Sequence, residues 1–193
     1  MSLDSSSWNQ RYISKNTGWD IGYVSTPLKE YFDQIIDKDQ KILIPGCGNA
    51  HEAEYLFKKG FKNVFIVDFS NKALENFKSR INNFPSEHMI CNDFFKINGE
   101  YDLIIEQTFF CAIERNKRHQ YASKTHSLLK TDGKLVGLLF DSPMYEDHPP
   151  FGGTSQEYKD CFSPFFKFKA FSPSYNSINS RKGKELFINL VKK

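Results

Sequence analysis

Three short stretches of this chain carry residue types that could hold a nucleotide. The first, Ile44-Pro45-Gly46-Cys47-Gly48-Asn49-Ala50, places two glycines directly after an apolar run. Gly46 allows a sharp turn, and Gly48 lets backbone come close to a ligand. The second is Asp68, 20 residues past Gly48 and at the end of the next apolar run. A carboxylate there can accept both hydroxyls of a ribose. The third is Asn92-Asp93-Phe94, where the acid can meet an adenine amino group and the ring can pack on the base. Each stretch also has a plainer reading: a simple turn, a helix-capping Asp68, a capping Asp93 beside a core Phe94.

A dinucleotide fingerprint has a third glycine three residues after the second, and here that position is His51. The missing glycine would let helix and strand pack closely around a pyrophosphate. S-adenosylmethionine has no pyrophosphate and needs only the close approach of the first turn. The spacing therefore favours it over a nicotinamide dinucleotide.

Alternating elements must hold these stretches in place. Apolar runs at Lys41–Pro45, Asn63–Asp68, Glu87–Cys91, Tyr101–Glu106 and Lys134–Phe140 read as strands. Thr26-Pro27 opens a helix with the apolar stripe Leu28, Tyr31, Phe32, Ile35 and Ile36, and a second runs from about Asn49 to Gly60. Ser70 caps a third, with Ala73, Leu74, Phe77 and Ile81 inward, and a fourth covers Arg118–Leu129 and ends near Gly133. Buried strands separated by helices imply a parallel sheet covered on both faces. Phe165–Phe171 and Glu185–Val191 have no helix between them, which suggests an antiparallel pair closing one edge. The fold class expected is α/β, a single doubly wound and mostly parallel sheet with that C-terminal pair. One domain, 1–193, is expected, with a long loop at Asp141–Gly153.

Composition narrows the function. The net charge of +3 on 193 residues makes no case for nucleic acid as a partner. The N-terminal MSLDSSSWNQRY lacks a signal-like apolar region, and no apolar run approaches the ~18 residues of a membrane span. The 4 cysteines form no C-x-x-C pair and no metal-ligand spacing, so reduced thiols and a cytoplasmic location are expected. Aromatic residues reach 16%, including 19 Phe. They must build a core, wall a pocket, or do both.

The chain resembles the thiopurine S-methyltransferase family, and within it the thiol and halide methyltransferase branch. The likeness lies in Trp8-Asn9-Gln10-Arg11-Tyr12, Thr17-Gly18-Trp19-Asp20-Ile21-Gly22 and Thr26-Pro27, and then in Pro45-Gly46-Cys47-Gly48 with His51 and Asp68. It continues through Tyr101-Asp102-Leu103-Ile104, Phe109-Phe110-Cys111-Ala112-Ile113-Glu114, Leu128-Leu129-Lys130 with Asp132-Gly133, Pro149-Pro150-Phe151 and Arg181-Lys182-Gly183-Lys184-Glu185. The resemblance implies a seven-stranded, Rossmann-like class I methyltransferase sheet with S-adenosylmethionine as methyl donor and S-adenosylhomocysteine as product. It implies cofactor contacts from Trp8, Tyr12, Trp19, Gly46, Gly48, Asp68, Asp93, Phe94 and Gln107, with residues 1–25 as a lid arm.

The acceptor would be a small soft nucleophile: a thiol, hydrosulfide, thiocyanate, halide or thiopurine. Phe109, Phe140 and Phe151 are expected as pocket walls, residues 141–153 as the acceptor-side loop, and Arg181 as a cation near an anionic acceptor. Each of the three Phe could equally be core, and Arg181 could be a solvated tail charge. Direct displacement needs no general base for such acceptors, so no catalytic residue is named. Tyr12 stands where relatives often have Trp, Gln107 where Tyr is common, and Asp147-His148 where a Gly-Gly pair often precedes the prolines. Two other classes stay open: a non-catalytic binder of S-adenosylmethionine or its product, and a nucleotide-dependent oxidoreductase. Partners other than a small molecule are not expected, and a monomer would suffice.

Overall fold

The computed structural model describes residues 3–193. Its strands are Ile42–Pro45 (β1), Val64–Asp68 (β2), Met89–Cys91 (β3), Tyr101–Gln107 (β4), Leu129–Phe140 (β5), Phe166–Pro173 (β6) and Glu185–Lys192 (β7). They form one seven-stranded sheet in the order β3-β2-β1-β4-β5-β7-β6. The β1–β2, β2–β3 and β4–β5 pairs are parallel, and β7 runs antiparallel to both β5 and β6. The chain divides into two compact units, up to Ile97 and from Asn98 onward. No helix among the described residues is long and apolar enough to cross a membrane.

In the first unit the helices are Ser5–Ile13 (α1), Thr26–Asp33 (α2), His51–Lys58 (α3) and Asn71–Arg80 (α4). Every residue of β1 is buried, as a strand covered on both faces requires. Gly60 ends α3 as expected: at φ +87° it lets its own N–H reach Phe57 O and the Phe61 N–H reach Leu56 O. Ser70 caps α4 by accepting from the Ala73 N–H at 3.2 Å. The α2 stripe is shorter than its periodicity suggests. Gln34 and Ile35 donate to carbonyls only three residues back, which tightens the last turn, and Ile36 is left 94% exposed. α1 was not legible, because Tyr12 is its only buried residue and it shows no apolar stripe.

The second unit carries Arg118–Leu128 (α5) and Ser155–Phe162 (α6). α5 does not run on to Gly133 but hands over directly to β5. Leu129 pairs with Tyr101 and Lys134 with Leu103, so residues 130–133 bulge out of the ladder, with Asp132 at φ +60°. α6 begins with a capping box in which Thr154 and Glu157 satisfy each other's backbone N–H. That T-x-x-E signal stands in the sequence, hidden behind the loop it follows.

A buried acid organises the end of β4. Glu106 is 1% exposed, and its Oε1 accepts the N–H groups of Phe109 (2.8 Å) and Phe110 (2.7 Å). Oε2 accepts from the Tyr121 hydroxyl on α5 at 2.5 Å. Burial pushes this carboxyl up to about 7, although Tyr121 and the two backbone donors pull it down. Across the ladder Gly137 lies so close that a Cβ would collide with the Glu106 carbonyl oxygen and Cβ. Gly137→Ala should therefore cost about 3 kcal/mol of stability, read as a lower urea midpoint.

A second expectation concerns pH. The folded Glu106 binds its proton more tightly than the unfolded chain, so its contribution to stability falls as pH rises from ~4.5 to about 7 and is level above. Glu106→Gln keeps an acceptor for both backbone N–H groups and removes that titration. Between pH 5 and pH 8 the variant should gain about 2 kcal/mol relative to the parent in urea unfolding. Parallel pH curves would refute this.

Candidate active site

In the first unit one turn and one strand end come together. β1 leads into a turn in which Gly46 (φ +54°), Gly48 (φ +53°) and Ala50 (φ +54°) are all left-handed. Ala50 pays for that conformation with strain of ~1 kcal/mol, because it carries a Cβ. Gly48 could not carry one at all, since it would lie 2.6 Å from the Tyr12 hydroxyl.

Asp68 ends β2 and is buried, and its carboxylate gathers the turn. Oδ2 accepts the Gly48 N–H at 2.9 Å, and Oδ1 accepts the Ser70 N–H at 2.8 Å. Burial raises its pKa, while these backbone donors work the other way. The Phe69 N–H is a third backbone donor to the same carboxylate, which still leaves it room to accept from a ligand. Asp68 is thus first of all a turn-organising acid. β3 pairs alongside, with Cys91 opposite Asp68, and the Asn92 N–H donates to the Asp68 carbonyl at 3.1 Å. This brings Asp93 beside the β2 end. Asp93 Oδ1 caps the short turn after it by accepting from the Phe95 N–H at 2.9 Å, and Phe94 is buried against Phe95.

The N-terminal residues close over the same turn. Tyr12 is 7% exposed, and its hydroxyl accepts from Trp19 Nε1 at 3.3 Å. Trp8 meets Trp19 edge-on with centroids 5.3 Å apart, and Arg11 lies over both indoles. Burial first, and then the charge of Asp68, raise the Tyr12 phenol far above its ordinary pKa, so it stays neutral.

Two polar clamps tie this arm down. Asn9 Oδ1 accepts from the Ser70 hydroxyl (2.8 Å) and the Lys72 N–H (3.0 Å) at the start of α4. Asp20 accepts from His51 Nε2 at 2.8 Å, from the Gly22 N–H at 2.7 Å and from Asn49 Nδ2. Burial works to raise the Asp20 pKa, but the bonds from His51, Asn49 and Gly22 outweigh it and hold the carboxyl below its usual range. The ionised Asp20 requires His51 to donate. The residue that displaces the third glycine is therefore a tether for the arm, and nothing in the one-dimensional pattern paired it with Asp20.

The fit of S-adenosylmethionine rests on two features: a turn whose left-handed Gly46 and Gly48 present backbone bare of side chains, and the buried strand-end carboxylate of Asp68 beside it. Within the second unit, Gln107 Oε1 is buried without a hydrogen-bond partner among the described residues. It stands between Glu106 and Thr108, whose φ is +57°. Among the described residues no group of His, Cys, Asp and Glu could hold a metal ion.

The second unit also places the expected acceptor-side residues. Phe109 is 9% exposed and packs on Tyr121 at 5.9 Å, on the turn that Glu106 holds. Phe151 is buried, and its N–H donates to the Cys111 carbonyl at 2.7 Å. Cys111 itself is no nucleophile, since burial and then Glu106 push its thiol up to about 12. Arg181 lies over the Phe140 ring at 5.5 Å, and its Nη1 is 3.4 Å from Glu185 Oε1. It is not a solvated tail charge, being 8% exposed. Its charge is compensated by Glu185, which faces Phe140 in the β5–β7 register. Glu106 and Arg118 were not singled out by sequence reasoning. A lone acid closing the apolar run YDLIIE was the available signal for the first, and none existed for the second.

Comparison with known proteins shows the family and the fold. Residues 3–191 match the profile of the thiopurine S-methyltransferase (TPMT) family. Thiocyanate methyltransferase 1 of Brassica oleracea is 31% identical over 95% of this chain and 83% of its own length. Probable thiol methyltransferase 2 of Arabidopsis thaliana is 27% identical over 94% of this chain and 82% of its own. In three dimensions the fold is similar to the 1,6-didemethyltoxoflavin-N1-methyltransferase of Burkholderia thailandensis, solved with its substrate and S-adenosylhomocysteine. That match has a TM-score of 0.79 and 14% identity, over 99% of this chain and 88% of the other. With its glycine turn, its strand-end acid and its family motifs in order along nearly the whole chain, the protein belongs to the thiopurine S-methyltransferase family, S-adenosylmethionine-dependent enzymes built on the class I sheet.

Proposed function

We propose that this methyltransferase acts on a small soft nucleophile, a thiol, hydrosulfide, thiocyanate or halide, with thiopurine as a larger relative of the same class. The observation that carries the reading is the Asp68–Gly48–Tyr12 arrangement, a glycine turn held by one buried carboxylate with an aromatic side chain of the arm against it. The names of the plant relatives support the acceptor class.

S-adenosylmethionine supplies a methyl group on a sulfonium, taken by the acceptor in an in-line displacement. Asp68 would hold the ribose hydroxyls with the lone pairs that Gly48, Phe69 and Ser70 leave. Asp93, Phe94 and Gln107 would meet the remaining polar and flat surfaces of the cofactor, and Gly46 gives the turn its shape. Trp8, Tyr12 and Trp19 exclude water as part of a lid arm, residues 1–25. On the acceptor side Phe109, Phe140 and Phe151 make an apolar wall, with residues 141–153 as the loop that carries the last of them. An apolar wall favours a transition state in which a cation and an anion cancel. A thiol is a few per cent ionised at neutral pH and a halide is fully so, and no side chain has to act as base. Arg181, stacked on Phe140, biases the site toward an anion, although Glu185 takes up part of its charge. The whole chain then works as one methyltransferase domain in the cytoplasm, with a small molecule as its partner.

The test is turnover with S-adenosylmethionine on a panel of hydrosulfide, thiocyanate, iodide and an aryl thiol, beside calorimetry with S-adenosylhomocysteine. Methylated product from at least one acceptor is expected. Tight cofactor binding with silence across the panel would make the protein a binder instead. Arg181→Ala should raise the acceptor KM about tenfold while the cofactor Kd stays within about twofold. Equal losses in both would remove Arg181 from the acceptor side.

A further inference from the structure

Arg118, at the start of α5, is 7% exposed, and among the described residues no carboxylate lies within ion-pair distance of it. A buried cation without an ionic partner is costly unless its N–H groups are used. Two of them are used on one short stretch. Nη1 donates to the Gly152 carbonyl at 3.0 Å and Nη2 to the Phe151 carbonyl at 2.8 Å. The guanidinium also lies against the rings of Phe110 (4.8 Å) and Tyr158 (5.7 Å), which pack edge-on to each other. The stretch is gripped from its other side as well, for the Phe151 N–H donates to the Cys111 carbonyl at 2.7 Å. Gly152 has no room for a Cβ against the Ser142 carbonyl, and a Cβ on Gly153 would lie 2.6 Å from the Tyr158 hydroxyl. The Gly-Gly pair after the prolines is therefore a packing requirement, and Phe151 sits on a segment that cannot swing.

We propose that Arg118 is a positioning residue which locks Phe151 as a fixed wall of the acceptor pocket, so that the enzyme selects small nucleophiles against aryl thiols. This rests on the reading that the 141–153 loop borders the acceptor. The planar fork aims two donors of fixed geometry at two neighbouring carbonyls, a rigidity that a lysine ammonium on its flexible stem lacks. Loss of the fork frees the loop without touching the glycine turn or Asp68.

The experiment uses the full chain, with Arg118→Lys beside Arg118→Ala in case the smaller side chain prevents folding. Three readouts are needed: kcat/KM for hydrosulfide and for thiophenol at saturating S-adenosylmethionine, cofactor Kd by calorimetry, and hydrogen exchange of the 141–153 segment. The parent should prefer hydrosulfide. In the lysine variant the thiophenol-to-hydrosulfide ratio should rise at least about tenfold, with cofactor Kd within about twofold. Amide exchange at Phe151 should quicken about tenfold or more. Unchanged exchange would show that Arg118 does not hold the loop. Faster exchange with both acceptors losing rate in equal proportion would reduce it to a structural residue. If the parent transfers methyl to neither acceptor, the acceptor reading itself fails and the selectivity claim with it, while the exchange data still decide the clamp.

Discussion

Two strands of this sheet carry a buried carboxylate at or next to their last residue, and each carboxylate collects backbone N–H groups of the turns at that end. Asp68 takes those of Gly48 and Ser70, and Glu106 takes those of Phe109 and Phe110. A turn leaving a parallel strand exposes donors that no neighbouring strand can satisfy, and in a buried place each unmet donor costs about 1–3 kcal/mol. An acid side chain meets two at once and accepts its own desolvation in exchange. The raised pKa of both groups records that cost. Everything at the two sites hangs from these turns: the bare backbone of Gly48 and the start of α4 from the first, Gln107, Phe109 and the buried Cys111 from the second.

The segments added to this frame are held by polar clamps more than by apolar contact. In the first unit Asn9 and Asp20 fasten the arm to the starts of α4 and α3, so that three aromatic residues can lie against a turn that contributes almost no side-chain surface. In the second, Arg118, the Cys111 carbonyl and the Tyr158 hydroxyl, which donates to Phe140 O at 2.6 Å, fix a long loop that has little apolar surface of its own. Hydrogen bonds to charged groups are directional and short. They set position where packing alone would leave a segment free to slide.

The aromatic excess divides along the same lines. Phe32, Phe77, Phe84, Phe110, Phe162 and Phe166 are nearly or fully inaccessible and build the cores of the two units. Trp8, Tyr12 and Trp19 form a separate cluster beside Gly48, and Phe140 serves as the face on which Arg181 lies. Periodicity identified Phe32 and Phe77 of the first group, since core residues repeat with their helix, but not Phe84, Phe110 or Phe162, which lie outside the stripes it traced. It could not identify the second, because α1 has no stripe and its rings face a turn instead of a core.

The strands themselves, their mostly parallel pairing and the C-terminal antiparallel pair follow from patterns carried along the chain: apolar runs, capping residues and glycine stops. The sequence by itself also determined the chemistry at single positions, such as a carboxylate 20 residues beyond Gly48 and a histidine in place of a third glycine. What only the tertiary structure decided was pairing. His51 with Asp20, Arg118 with the carbonyls of Phe151 and Gly152, and Glu106 with Tyr121 all join residues whose own neighbourhoods show no trace of the partner. The end of α2 and the start of β5 belong to the same class, for backbone hydrogen bonds and ladder register set them where apolar spacing would have continued. Local pattern reports what a residue type can do on its element. A hydrogen bond between distant segments depends on where the folded chain brings its donor, and no period in the sequence encodes that distance.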